Sequence, residues 1–208
     1  RAIFICWGQA GQNGKSTLLT TIHRLLGRDY AATVNTKAFL TDETGNFALS
    51  TLAQLRGVRF VDMSEASGGM ALNEELIKML TGGDPVSAKL MHRDKIEFLP
   101  QFKAWVMTNE RPIVRGTEDP IWVRIKLIPF EHQIPEGVRQ AREIVDARLD
   151  LEWPGILAWL VRGYLAVRTT GLVEPVQVIL AVTAYKGEMD LVRQFLEEAC
   201  ELGAGQSC

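Results

Sequence analysis

The feature that most constrains this chain of 208 residues lies near its start, where a nearly continuous apolar run, Ala2 to Trp7, enters Gly8-Gln9-Ala10-Gly11-Gln12-Asn13-Gly14. From Lys15 onward Leu18, Leu19, Ile22, Leu25 and Leu26 recur at helical spacing as far as Gly27. A short unbroken apolar run fits a strand buried on both faces, and the later spacing predicts an amphipathic helix with Gly27 as its stop. Strand, glycine loop and helix in that order let backbone N–H groups curl around an anion at a helix N-terminus. Gly11, Gln12, Asn13, Gly14, Lys15, Ser16 and Thr17 therefore carry the core of a nucleotide-binding phosphate loop, with Lys15 for the β- and γ-phosphates and Ser16 for Mg²⁺. The strict spacing asks for glycine where Gln9 stands, so Gly8 predicts a loop one residue wider at its entry.

Downstream, Val58 to Met63 reads as a second buried strand, Leu72 to Leu80 as a helix and Ala104 to Met107 as a third strand, which predicts an α/β fold with a mostly parallel central sheet. Val86–Met91 and Ile96–Leu99 flank His92-Arg93-Asp94-Lys95, a β-hairpin with a charged tip. From about Val138 the pattern is helical, with breaks at Pro154 and at Gly171 through Pro175. Residues 1–135 are thus expected to form an ATPase core and 136–208 a C-terminal helical region.

Composition narrows the setting. No stretch approaches the roughly 20 apolar residues of a membrane helix, and Cys6, Cys200 and Cys208 are too few and scattered for a disulfide framework, so a reducing cytoplasm is expected. With 23 basic against 25 acidic residues the net charge is −2, and any nucleic-acid contact must be local. The abrupt start at Arg1 predicts further N-terminal domains. Trp105, Trp122, Trp153 and Trp159 fall within apolar runs and are expected in the core, and His23 and His132 are read as structural.

Hydrolysis of a nucleotide needs a carboxylate at the end of a neighbouring strand. Glu65 follows the strand ending at Met63 and is the expected carboxylate, either to hold Mg²⁺ through water or to polarise the attacking water; Asp62 is its rival, either a metal ligand or a strand-end group satisfied by backbone. Strand alternation puts 62 and 65 on opposite faces. Asn109, ending the third strand, can hydrogen-bond a γ-phosphate and the attacking water without adding charge.

Taken together, Gly11–Thr17, Ser64-Glu65, Leu80-Thr81-Gly82-Gly83-Asp84, Phe102 through Asn109 and Ile121-Trp122-Val123-Arg124-Ile125 through Phe130 resemble the superfamily 3 helicase domain of phage, plasmid and poxvirus-type primase-helicases. The likeness continues into Pro154–Trp159 and Tyr185–Phe195. It implies an AAA-like P-loop NTPase that uses ATP and Mg²⁺, assembles as a homo-oligomeric ring, usually a hexamer, and moves along single-stranded or forked DNA in a bacterial host cytoplasm, with an N-terminal primase or other replication domain. By that resemblance Lys15 and Ser16 are the Walker A residues, Glu65 the Walker B glutamate, Asn109 the polar sensor and Arg124 the finger that reaches a neighbouring subunit's ATP. Many members carry a second arginine where Val123 stands. Ser64 takes a place that is acidic in other branches, so Mg²⁺ leans on Ser16 and water.

The guanidinium argument also stands alone, because such a group at a γ-phosphate is worth about 10³ to 10⁵ in rate; Arg111 and Arg115 are the rivals of Arg124. The hairpin's counterpart in similar helicases grips the nucleic-acid backbone, which assigns Lys89, His92, Arg93 and Lys95 to DNA contact, against the simpler reading of a solvated tip that blunts a sheet edge. Two other functions fit the same residues. One is an ATPase that loads or remodels replication proteins, and the other, favoured by Gln9 and Ser64, is a nucleotide-gated assembly module with little hydrolysis.

Overall fold

The computed structural model describes residues 2–39, 51–63, 71–89, 94–116, 119–190 and 194–195. Seven strands lie within them: β1 Ile3–Trp7, β2 Ala31–Val34, β3 Phe60–Met63, β4 Val86–Lys89, β5 Lys95–Phe98, β6 Lys103–Thr108 and β7 Ile125–Pro129. Five form one wholly parallel sheet in the order β2-β3-β6-β1-β7, and β4 with β5 form a separate antiparallel hairpin. The helices are α1 Lys15–Tyr30, α2 Glu74–Gly82, the single turn α3 Asp119–Trp122, α4 Arg142–Leu151, α5 Trp153–Thr170 and α6 Val176–Met189.

The sheet's parallel pairing explains the apolar runs. Ile3, Ile5, Val61, Met63, Val106, Ile125 and Leu127 are almost wholly buried, because helices and loops cover both faces. β1 is the central organiser. Its last residue, Trp7, stands opposite Thr108 of β6 and Pro129 of β7, so the segments that follow these three strands leave the sheet at one edge. Its first residue stands opposite Ala104 and Ile125, which puts Arg124 at the other edge, roughly 13 Å away along the strand.

Several boundaries differ from those expected. Gly27 does break α1, at φ 67° and ψ 179°, but a further turn follows and leads directly into β2, a strand that its short Ala-Ala-Thr-Val sequence did not announce. The helix expected over 72–80 begins two residues later. Asn73 caps it by accepting from Leu76 N at 3.0 Å, while Ala71 and Leu72 instead pair with Ile113. The two hairpin strands pair as expected, anchored by buried Val86, Ala88 and Phe98, but Lys95, expected in the tip, belongs to β5 opposite Lys89, and residues 90–93 lie outside the described residues.

From Arg142 the described residues are mainly helical, with the expected breaks. Pro154 falls in the first turn of α5, and Gly171, at φ 76°, ends it. These helices attach in two ways. α6 packs on β7 through buried Val178 and Tyr185, whereas α4 lies along α1 by charge, Arg24 pairing with Asp146 and Asp150. Trp122 is a core residue as expected; Trp105, stacked on Phe4 at 4.4 Å, is half-buried against the core, and Trp159 is not a core residue, since α5 buries no residue completely and leaves it 58% exposed.

Cys6 sits in β1 with no exposed surface, and burial pushes its thiol up from 9.0 to about 12, with Lys15 pulling weakly the other way. Above pH 9 the unfolded chain gives up this proton while the folded chain keeps it, so stability falls with rising pH. The loss between pH 9 and 10 is about 1 kcal/mol. Urea unfolding at the two pH values should show that slope in the parent and a flatter one in Cys6→Ala.

Candidate functional site

The loop between β1 and α1 is shaped by two left-handed residues, Gln12 at φ 60° and Gly14 at φ 84°, which turn it back onto the helix start. Gly14 is the N-cap of α1, and its carbonyl accepts from Leu18 N at 3.0 Å. Asn13 closes the loop from inside: its amide donates to Ala10 O at 2.7 Å and to Phe130 O, just past β7, at 3.0 Å. The loop is also joined to its neighbours by backbone, Gly8 N to Thr108 O at 3.3 Å and Ile134 N to Gln12 O at 2.9 Å. Gly8 is the extra entry residue anticipated above. A Cβ there would lie 2.4 Å from both Asn13 Nδ2 and Phe130 O.

Lys15 is 4% exposed, and its ammonium donates to Gly8 O and to Asn109 Oδ1, each at 2.9 Å. The structure thus brings together the phosphate-loop lysine and the polar residue at the end of the adjacent strand. At the mouth of this pair lies a cleft of about 880 Å³. One wall is Gln12 to Leu18 with Thr21 and Ile22 of α1. The other wall was not legible from spacing: Ile134, Val138 and Arg139 between β7 and α4, Arg142, Val145 and Leu149 on α4, and Ile156 and Trp159 on α5. A polar, cationic floor under an apolar roof suits a phosphorylated ligand that carries a ring. Ser16 is exposed at the start of α1 and supplies an oxygen of the kind that hard divalent cations prefer.

Other expected residues lie elsewhere. Asp62 is 8% exposed, and its carboxylate takes His23 Nδ1 at 2.5 Å and Thr33 Oγ1 at 3.0 Å. Its partners are thus side chains on α1 and β2, not the backbone expected, and it joins those elements to β3 rather than meeting Lys15. Ser64, Glu65, His92 and Arg93 fall outside the described residues. Lys95 is exposed at the start of β5. Arg124, at the far edge of the sheet from Lys15, donates through Nε to Thr81 Oγ1 at 3.1 Å and through NH1 to Pro120 O. Of its rivals, Arg111 is engaged within the chain, pairing with Glu188, and Arg115 is exposed.

Gly8 gives the site a sharp mutational test. The Cβ of Gly8→Ala meets a backbone carbonyl that cannot rotate away, so overpacking should cost about 1–3 kcal/mol in urea unfolding.

Over 202 residues the chain is 26% identical to the mimivirus protein named "Putative helicase L207/L206" from Acanthamoeba polyphaga mimivirus, covering 90% of this chain and 21% of that protein. The chain spans about a fifth of the length of the first curated relatives it matches. In structure it is similar to the apo NrS-1 C-terminal region, with a TM-score of 0.54 at 13% identity over 74% of this chain and 35% of the other. It is also similar to the JCV helicase, at 0.50 and 12% over 92% and 52%. The fold is that of a helicase-type P-loop NTPase. A family model spans residues 6–124, from the end of β1 through the phosphate loop and Asn109 to Arg124. With more than half of its length inside that match, the chain belongs to DUF5906, a family of unknown function.

Proposed function

We propose that this chain is the motor domain of a DNA helicase that binds and hydrolyses ATP between subunits of a homo-oligomeric ring, a hexamer, and moves on single-stranded or forked DNA. The observation that carries the reading is the buried Lys15 ammonium shared between Gly8 O and Asn109 Oδ1 at the mouth of a nucleotide-sized cleft. Relatives named putative helicases, from a mimivirus and from frog virus 3, support the helicase part of this reading, and a phage, prophage or plasmid replication protein is the setting we propose for it.

In this reading the loop amides and Lys15 hold the β- and γ-phosphates, and Asn109 turns from Lys15 toward the γ-phosphate and the attacking water. Ser16 would hold Mg²⁺, with Glu65 reaching it through water, and the ion would neutralise phosphate charge. Asp62, bracketed by His23 and Thr33, is left out of that set. Glu65 takes the proton of the attacking water. Arg124 lies too far along β1 to serve its own Lys15, which suits a finger that completes the next subunit's site and makes turnover depend on assembly. Lys89, His92, Arg93 and Lys95 supply backbone contacts to DNA. The backbone register sets positions 89 and 95 opposite one another, which suits contact with a shared phosphate.

The test is steady-state ATP hydrolysis over a range of protein concentrations, with and without single-stranded DNA. Turnover should rise more steeply than linearly with protein and be stimulated by DNA. Arg124→Ala should lower it by about 10³ while nucleotide still binds. Glu65→Gln should abolish turnover and spare binding, whereas Lys15→Ala should weaken binding itself. Activity linear in protein and indifferent to both DNA and Arg124 would exclude the intersubunit site.

A further inference from the structure

The loop after β6 is tied to four parts of the chain by nearly consecutive residues. Asn109 accepts from Lys15 at 2.9 Å. Arg111 lays its guanidinium 3.9 Å from the Trp7 ring centroid and 5.9 Å from that of Tyr185, and donates through NH1 to Glu188 Oε1. The Pro112 carbonyl accepts from the Tyr185 hydroxyl, and the Ile113 carbonyl from Leu72 N at 2.8 Å. Tyr185 and Glu188 are three residues apart on one face of α6. Tyr185 has no exposed surface and meets Trp122 edge-on at 5.1 Å. Its burial holds the hydroxyl well above the ordinary range, so it remains a donor.

Arg111 Nε is buried and has no acceptor among the described residues. The guanidinium is therefore fixed by two aromatic faces and one carboxylate, a geometry that depends on where Trp7 and α6 stand. Trp7 immediately precedes Gly8, whose carbonyl holds Lys15. A backbone shift at Asn109 reaches Arg111 and Pro112, two and three residues on, and through them these partners.

We infer that Arg111, Tyr185 and Glu188 are positioning residues that set Asn109 against Lys15 and link occupancy of the phosphate loop to the docking of α6. This rests on the ATP-hydrolysing reading above. When a γ-phosphate replaces Asn109 as the partner of Lys15, the loop adjusts, and α6 receives the change through the Tyr185 hydroxyl and the Arg111–Glu188 pair.

The experiment compares the parent chain with Tyr185→Phe, which removes only the hydroxyl, and Arg111→Lys, which keeps the charge but loses the flat face. Glu174→Gln, which removes the pair with Lys126 near the start of α6 without reaching the loop, is the control. Turnover, KM for ATP, melting temperature and amide hydrogen exchange of residues 182–189 with and without MgATP are measured. Tyr185→Phe and Arg111→Lys should lower kcat about three- to tenfold, as loss of one oriented hydrogen bond does, with KM unchanged. Glu174→Gln should alter neither. MgATP should change exchange at 182–189 in the parent and not in Tyr185→Phe; if that variant does not fold, Arg111→Lys carries the comparison. Variants that lower the melting temperature but keep the parent's kcat, with exchange indifferent to nucleotide, would overturn the inference and leave α6 a prop. A parent that binds MgATP without turnover sinks the hydrolysis reading alone. The exchange measurement then decides the link: a nucleotide effect lost in Tyr185→Phe supports it, and no effect overturns it. A parent that binds no nucleotide overturns both.

Discussion

Burying an ammonium costs several kcal/mol unless acceptors replace the water it gives up. Lys15 meets that condition with one carbonyl from its own loop and one amide oxygen from the strand next door. Both acceptors have to be delivered to within hydrogen-bond length, and much of the fold can be understood as the means of delivery. The pairing of β1 with β6 brings the ends of the two strands level, so that Gly8 and Asn109 leave the sheet side by side. Pairing with β7 brings Phe130 close enough for Asn13 to pin the loop. The glycine at position 8 exists because this convergence leaves no room for a Cβ.

The parts of this arrangement that the chain announces in advance are those written in local pattern. An apolar run, a glycine cluster and a helical period lie next to each other in residues 2–27, and a reader needs no other part of the chain to see a strand, loop and helix there. The end of β6 at Asn109 is similarly local. Other features are agreements between distant segments. β2 is four residues of weak strand character whose identity comes from its neighbour β3. Asp62 found His23 and Thr33, 39 and 29 residues away, and no spacing rule connects them. The roof of the cleft is likewise a meeting of α4 and α5 with α1, so Trp159 seemed destined for a core although α5 leaves it largely in solvent.

The C-terminal helices divide the labour of holding the core and covering the site. α6 is fastened by apolar burial and aromatic packing on β7, the kind of attachment that yields only when much of the domain does. α4 is held to α1 by Arg24 with Asp146 and Asp150 and by Arg142 with Thr20, and the same Arg24 guanidinium lies 6.0 Å from the ring centroid of Trp153 on α5. Part-exposed ion pairs are worth little each and exchange readily with water. A roof held in this way can part from its wall without disturbing the sheet, which is what admission and release of a ligand require.

The strand order β2-β3-β6-β1-β7 also bears on how the molecule is made. β1 is near the start of the chain, yet both of its partners lie about a hundred residues further along. During synthesis the segment Ile3–Trp7 must wait, apolar and unpaired, until β6 and β7 exist to enclose it, and loop-closure entropy makes such non-local pairing slow. The phosphate loop hangs from that strand. Its geometry therefore waits on segments made about a hundred residues later, and a product stalled before β6 and β7 would present an aggregation-prone strand rather than a partly working site.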